Sequence, residues 1–393
     1  MPTEDFIERR ASLEADMPRR IKALQSVMRE KGIGATLLCA TAGPGLFGVA
    51  KYFSNLSMWY GRAFVVVGVD DAEPAIVHWS GFQSAWNRQE ATTKRIETPD
   101  VAVALGAVEA FERAAEIAVE MAGGAQRIGV EHMPHTWMVG EHDLFVKKYP
   151  QIELVNIARE IDGIRAVKSG FELNEMRILG ETLVNAFELF AKEARVGRRI
   201  WEVTADCEAL IKAEGGAWGR TKMSLDQRPP TILPRVERKF QRDDLILLEI
   251  DYSGPFGLWY EMTALFSFDP LPESIKRKVA AYADVIELMA AQLKPGLRIG
   301  EIPKICDGRF GELGFEVDGM HLPHAHSIGL DETDGPNSST TSDDLLVNDM
   351  VLACHPGGIF LDGTGFAMSD SFRVTDAGGE RMSRKDWLYR LMG

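Results

Sequence analysis

Apolar residues recur along this chain at two different periods, and the alternation between them marks out its elements. In the first part, "DMPRRIKALQSVMREKG" carries apolar residues at helical spacing and closes on a glycine, a helix stop. The runs "ATLLCA", "AFVVVGV", "PAIVHW" and "RIGVEH" are short and nearly continuously apolar, as in strands buried on both faces. "AVALGAVEAFERAAEIAVEMAGG" predicts a long helix ended by Gly-Gly. Strand and helix patterns alternate, so residues 1–163 read as an α/β domain.

The second part opens on a sharp helix signal. In "KSGFELNEMRILGETLVNAFELFAKEA", Ser169 and Glu172 have the spacing of a capping box. Leu173, Met176, Leu179, Leu183, Phe187 and Phe190 then follow three and four residues apart, which is one buried helix face. "IWEVTADCEALIKAEGG" predicts a second helix and "ESIKRKVAAYADVIELMAAQL" a third. Between and after them come the strand-like runs "LILLEIDYSG", "LWYEMTALFSF", "MVLACHPGGIFL" and "GFAMSDSFRVT". Residues 164–393 therefore read as a second, larger α/β domain.

Charge narrows the partners. Lys+Arg 44 against Asp+Glu 58 gives a formal net charge of −14, which argues against nucleic acid and anionic membranes as partners. Four scattered cysteines, Cys39, Cys207, Cys306 and Cys354, lack the pairing of a thiolate zinc site and suit a reducing cytoplasm. The start "MPTEDFIERR" has no signal-like apolar region, and no apolar run is long enough to span a membrane. A cytoplasmic location is expected.

Two motifs compete for the chemistry. "GPGLFG", with Gly43, Gly45 and Gly48, fits a dinucleotide loop followed by Asp70 and Asp71, but Pro44 removes a backbone donor and the helix after it is weakly amphipathic. It reads as a glycine-rich turn. The stronger signal is "LLEIDYSGPFGLWYEMTALF", where Glu249, Asp251 and Glu261 interrupt an otherwise apolar segment. A buried carboxylate costs several kcal/mol unless a partner satisfies it. Acids held close together raise each other's pKa and suit a delocalised cation such as an amidinium.

The order of elements in the second part, with "KSGFELNEMR" and "HSIGL", resembles the pita-bread family of methionine aminopeptidases, prolidases and creatinase. That resemblance implies a creatinase-like N-terminal α/β domain and a C-terminal pita-bread domain with two pseudo-symmetric αβ halves. It also implies the site. Metallo-members hold two ions with two aspartates, a histidine and two glutamates. Here Glu249 or Asp251 matches the first aspartate, Glu261 stands near the second, and His326 matches the ligand histidine. His355 in "CHPG" and Ser369 in "FAMSDSFRVT" replace the two glutamates, and "RPPTILP" lacks the histidine that family peptidases carry there. The resemblance thus implies a metal-free site without cofactor, as in creatinase; one iron or zinc on Asp251, Glu261, His326 and His355 is the open alternative.

"LLEIDYSG", "YEMT", "HLPHAHSIGLDETDGP" and "ACHPGG" look most like the ectoine hydrolase branch of that family. This implies hydrolytic opening of a small cyclic amidine carboxylate to N-acetyl-2,4-diaminobutyrate. Glu249 would be nucleophile or base, Asp251 and Glu261 would hold the ring N–H groups, and His326 or His355 would protonate the departing nitrogen. "NLSMWYGRAFVVVG" resembles the creatinase segment that enters a partner's active site. By that resemblance, Tyr60 and Arg62 would hold the substrate carboxylate in a homodimer with sites shared across the interface. Trp218 is a candidate for the pocket wall. The alternatives are creatine hydrolysis, metal-assisted cleavage of dimethylsulfoniopropionate, an Xaa-Pro peptidase and a non-catalytic binding module.

Overall fold

Residues 4–43, 47–98, 107–131, 136–225, 237–319, 324–339, 341–356, 358–360 and 364–392 are described by the structure, a computed structural model. The chain divides into two units, Met1–Arg165 and Ala166–Gly393.

The first unit begins with α1 (Glu4–Lys31), β1 (Ala35–Thr41), α2 (Gly48–Ser54), β2 (Arg62–Gly68) and β3 (Ala75–His78). It continues with α3 (Gly81–Glu90), β4 (Ile96–Glu97), α4 (Ala107–Met121), β5 (Arg127–Val130), α5 (Val139–Lys148), β6 (Glu153–Asn156) and α6 (Ala158–Ala166). The strands form a mixed sheet in the order β4-β3-β2-β1-β5-β6. Its middle strands are apolar because both faces are covered; Leu37, Phe64, Val66, Val77, Phe111 and Ile117 share one core.

The second unit repeats one theme. A helix pair, α7 (Gly170–Glu193) and α8 (Ile200–Ala213), precedes β7 (Gly219–Ser224), β8 (Leu245–Ser253) and β9 (Trp259–Ser267). A second pair, α9 (Glu273–Gln292) and α10 (Ile302–Glu312), precedes the short strands β10 (Val317–Gly319), β11 (Ala325–Ser327) and β12 (Asp334–Asn337). The chain closes with β13 (Val351–Cys354), β14 (Gly358–Phe360), β15 (Asp370–Thr375), β16 (Gly378–Arg381) and β17 (Tyr389–Leu391). The first half's sheet runs β17-β9-β8-β7 and the second's β12-β11-β13-β15-β16. At α7 the capping box forms as expected: Ser169 N donates to Glu172 Oε2 at 2.9 Å and Glu172 N to Ser169 Oγ at 3.3 Å. The apolar stripe behind it is buried, with Phe187 stacked on Phe266 of β9.

Three local expectations changed. The stretch after "GPGLFG" is a short helix, α2, buried on every face, which is why it shows no amphipathic pattern. Its buried Lys51 is satisfied by Asn55 Oδ1 at 3.2 Å and the Leu56 carbonyl at 3.3 Å. Pro44 and Gly45 of that motif lie outside the described residues, as do residues 102–106 of the expected long helix and all of "RPPTILP". The run "MVLACHPGGIFL" is not one strand. It breaks after Cys354, and β14 pairs with β10 instead of continuing beside β11. Pro356 cannot donate to a ladder, and the break frees the His355 side chain from the sheet's alternation. Likewise "GFAMSDSFRVT" becomes strand only from Asp370.

Among the described residues, no helix is long and apolar enough to cross a membrane. The four cysteines are buried and unpaired. One glycine has a demanding place: Gly61, between Tyr60 and Arg62, sits at φ +74°, and a Cβ there would lie 1.8 Å from Trp79 Nε1. Gly61→Ala is therefore expected to lower stability by about 1–3 kcal/mol, read as an earlier urea or thermal transition.

Candidate active site

Strand register assembles the acids. In β8 and β9 the pairing sets Asp251 opposite Glu261 and Glu249 opposite Thr263. On the other side of β8, β7 sets Arg220 opposite Asp251 and Lys222 opposite Glu249. Paired residues of an antiparallel ladder share a face, and positions two apart on one strand do too. All three acids therefore project from one face, with two cations flanking them.

The cluster is buried: Asp251 is fully inaccessible, and Glu249, Glu261, His326 and His355 expose 9% or less. Lys222 Nζ contacts Glu249 Oε1 and lies 3.0 Å from Asp251 Oδ2. Arg220 Nε lies 3.6 Å from Asp251 Oδ2, while its other end pairs with Glu332. The Asp251 contacts are ion pairs, the Lys222 ammonium approaching Oδ2 within hydrogen-bond distance.

The second half supplies the histidines. His326, on β11, points Nε2 at Glu261 Oε2, 3.5 Å away, and its Nδ1 lies 3.0 Å from the Ser327 carbonyl. That carbonyl can only accept, so Nδ1 carries a hydrogen. His355 is held by its backbone N–H, which donates to the His324 carbonyl at 2.9 Å; its ring lies 5.1 Å from that of His326. Ser369 is anchored to Thr263 by two backbone contacts: Ser369 N donates to Thr263 Oγ1, and Thr263 N donates to the Ser369 carbonyl at 3.1 Å. Its buried Oγ has no hydrogen-bond partner among the described residues.

The environment drives the ionisable groups apart. Burial, reinforced by Asp251 and Glu261, pushes Glu249 well above the carboxylate range. Burial and then Glu261 push Asp251 up to about 7. Glu261 goes the other way: burial raises it, but contact with His326 and the charges of His355, His326 and Lys222 outweigh burial and hold it low. His326 is raised, the effect of Glu261 exceeding that of burial, whereas burial brings His355 down to about 4. Lys222 is raised because Asp251 and Glu249 overcome its burial.

The remaining expected residues lie elsewhere. Trp218, two residues before Arg220, is 40% exposed and tied to Ser253, whose backbone N–H donates to the Trp218 carbonyl at 2.7 Å. Tyr60 and Arg62 belong to the first unit. Tyr60 Oη pairs with Ser80 Oγ at 2.7 Å, among the rings of Trp59 and Trp79. Arg62 is buried, donating to Glu141 Oε2 at 2.7 Å, the Thr136 carbonyl at 3.0 Å and Thr41 Oγ1 at 2.9 Å. A substrate carboxylate would have to displace Glu141 to reach it.

A family model described as metallopeptidase family M24 matches residues 174–376, just over half of the chain. The chain belongs to metallopeptidase family M24. An uncharacterized peptidase of Staphylococcus aureus (strain USA300) is 26% identical over 239 residues, which is 56% of this chain and 63% of the relative. The match thus spans less than two thirds of that relative's length. Among solved structures, the prolidase from Pyrococcus horikoshii OT3 superposes with a TM-score of 0.78 at 17% identity, covering 94% of this chain and 99% of that one. The Xaa-Pro dipeptidase from Bacillus anthracis gives 0.77 at 18%, covering 95% and 100%. At such identities the likeness establishes fold, and with the repeated helix-pair-and-strands order it makes the second unit an M24 pita-bread domain.

Do these residues fit the family's metals? Ligand atoms of Glu249, Asp251 and Glu261 lie within 4.8 Å of one another, and so do those of Glu261, His326 and His355. A pair of ions does not fit this M24 site, because Lys222 already contacts two of the acids and Ser369 brings no charge. The Glu261–His326–His355 trio does fit a single ion. It is a two-histidine, one-carboxylate set, and His326 has its Nδ1 fixed by a carbonyl as ligating histidines do. Such an ion would supply Lewis-acid polarisation.

Sequence reading missed Arg220 and Lys222. Their signal was present: "WGRTKMS" places two cations two residues apart, the same spacing as the acids of "LLEIDYSG". Asp251 gives a stability test. Its folded pKa near 7 exceeds the ordinary 3.8, so its contribution is full below about pH 4 and is lost as pH rises through 7. His355, depressed from 6.5 to about 4, contributes above 6.5 and loses that as pH falls through 4. Asp251→Asn should gain about 1–3 kcal/mol relative to wild type between pH 4 and pH 8, measured as paired melting curves at the two pH values.

Proposed function

We propose that this chain hydrolyses a small cyclic amidine bearing a carboxylate, with ectoine opened to N-acetyl-2,4-diaminobutyrate as the specific reaction. The observation carrying this reading is the buried row of Glu249, Asp251 and Glu261 with a histidine pair beside it. A desolvated acid cluster favours a cation, and an amidinium is a planar cation that donates to two carboxylates at once.

Its arrival adds positive charge to the single Lys222 ammonium that Glu249 shares with Asp251, favouring the ionised, reactive form of that carboxyl. Glu249 draws a water onto the amidine carbon, or attacks that carbon itself, in which case water then adds there and breaks the Glu249–carbon bond to release the carboxylate. One ring C–N bond breaks, the water oxygen ends on that carbon as the new amide, and both water hydrogens end on the released nitrogen. Asp251 and Glu261 hold the ring N–H groups. Groups whose pKa values are pushed apart divide into acid and base. His326, whose hold on a proton is strengthened by Glu261, is the proton donor to the departing nitrogen, and His355, lowered to about 4 by burial, is the acceptor that orders the water. The substrate carboxylate faces the cationic rim of Arg220 and Lys222 near Trp218. Arg62 would serve a second protomer's site only by giving up Glu141, although the exposed Trp59, Phe82 and Trp86 support a homodimer contact on the first unit.

A second reading, Xaa-Pro peptide hydrolysis with one ion on Glu261, His326 and His355, is favoured by that trio and by the named activities of the structural neighbours. Incubation with ectoine, creatine, a proline dipeptide and dimethylsulfoniopropionate, followed by NMR, separates them. Only ectoine is expected to change, chelation is expected to spare that turnover, and Glu249→Gln should lower it by about 10³-fold or more in a folded protein. Turnover of the dipeptide alone, abolished by chelator, would replace the first reading with the second.

A further inference from the structure

A lysine between two buried carboxylates is an unusual occupant for a site whose family takes metal ions. Lys222 enters from β7, one strand over from the acids, and its register partner is Glu249 itself. Its Nζ touches Glu249 and stands 3.0 Å from Asp251, while its side chain keeps 23% exposure toward the rim. The ammonium therefore stands against the two β8 acids of the Glu249–Asp251–Glu261 set. Three further features describe a position shaped for a small, multiply coordinated cation. Asp251 is wholly buried, and its Oδ2 faces the Lys222 ammonium at 3.0 Å. Arg220 approaches the same oxygen to 3.6 Å. The buried Ser369 hydroxyl, on a residue bonded through its backbone to Thr263, has no hydrogen-bond partner among the described residues.

We infer that Lys222 is a built-in counter-cation that occupies the Glu249–Asp251 half of the cluster in place of a divalent ion, and that removing it turns this half into a divalent-cation site. An ammonium is a compact point charge with three donors, so among side chains it imitates a bound ion most closely. It differs in two ways. It brings one positive charge where an ion brings two, leaving room for a cationic substrate beside the remaining negative charge. It also has no open coordination position, so it cannot bind a water and make it acidic as an ion would. A divalent ion entering the native site would meet the ammonium at the same Glu249 and Asp251 oxygens and be repelled by it. The inference concerns the acid cluster alone and holds whatever the substrate is.

The test uses Mn²⁺, which prefers oxygen ligands, titrated into the purified full chain and followed by calorimetry and by loss of the free-ion paramagnetic resonance signal. Wild type is compared with Lys222→Met, which keeps the stem's length and removes the charge, with Lys222→Arg, and with Lys222→Met/Asp251→Asn. Lys222→Met should bind one Mn²⁺ per chain more than wild type, at an affinity about 10-fold or more above any wild-type binding at these acids. The added ion should vanish in the double variant, and Lys222→Arg should titrate like wild type. Two results overturn the inference. One is a Lys222→Met protein with native melting behaviour that gains no ion. The other needs no lysine variant: wild-type protein that binds Mn²⁺ and loses it on Asp251→Asn already holds an ion where the ammonium is assigned. Neither result bears on whether ectoine is turned over, so the two proposals fail separately.

Discussion

Three carboxylates lie on one face of a buried sheet, and the compensation of their charge is the constraint that organises the second unit. Burying an ion alone costs several kcal/mol even after relaxation, so a row of three cannot persist without partners close at hand. The compensation comes from two directions. Lys222 and Arg220 approach along the same sheet from β7, through side chains that reach the rim. His326 and His355 approach from the other half of the unit, where β11 and the end of β13 present them to Glu261. Exposed ion pairs elsewhere on the chain are worth at most about 1 kcal/mol each and organise nothing comparable.

The division has a chemical consequence. Burial first, and then the neighbouring acids that one ammonium cannot neutralise, raise the affinity of Glu249 and Asp251 for protons. Glu261, served by two imidazoles and Lys222, stays ionised. A single acid row is thereby split into one member held low and two raised members, with one raised and one lowered histidine facing them. Membership of the M24 family accounts for the frame; the lysine, the serine at position 369 and the histidine at 355 set how this chain uses it.

Much of the frame was legible because its cues are local. The capping box of Ser169 and Glu172 and the apolar stripe from Leu173 to Phe190 depend on residues within a few turns, and both formed as read. The runs beginning at Ala35, Ala63, Pro74 and Arg127 became strands for the same reason. Reading failed where a local cue was ambiguous or silent. The helix at Gly48–Ser54 is buried all round and carries no period. The apolar run through Cys354 hid a break that Pro356 signalled. β7 was overlooked because its alternation is between cations and small or apolar residues instead of the usual apolar and polar positions.

By itself the sequence determined that Glu249 and Asp251 share a face and that Glu261 belongs to the next strand, because a strand's period of two needs no partner to be read. It determined too that His326 and His355 follow among the four histidines of the second half. Which groups meet was decided only by tertiary structure. A shift of one residue in the β7–β8 pairing would turn Lys222 to the opposite face from the acids, and nothing within either segment specifies that register. The pairing of His326 with Glu261, sixty-five positions apart, and the engagement of Arg62 by Glu141 are of the same kind. Charge partners across such separations are selected by which surfaces the whole fold can bury together, and that information resides in packing.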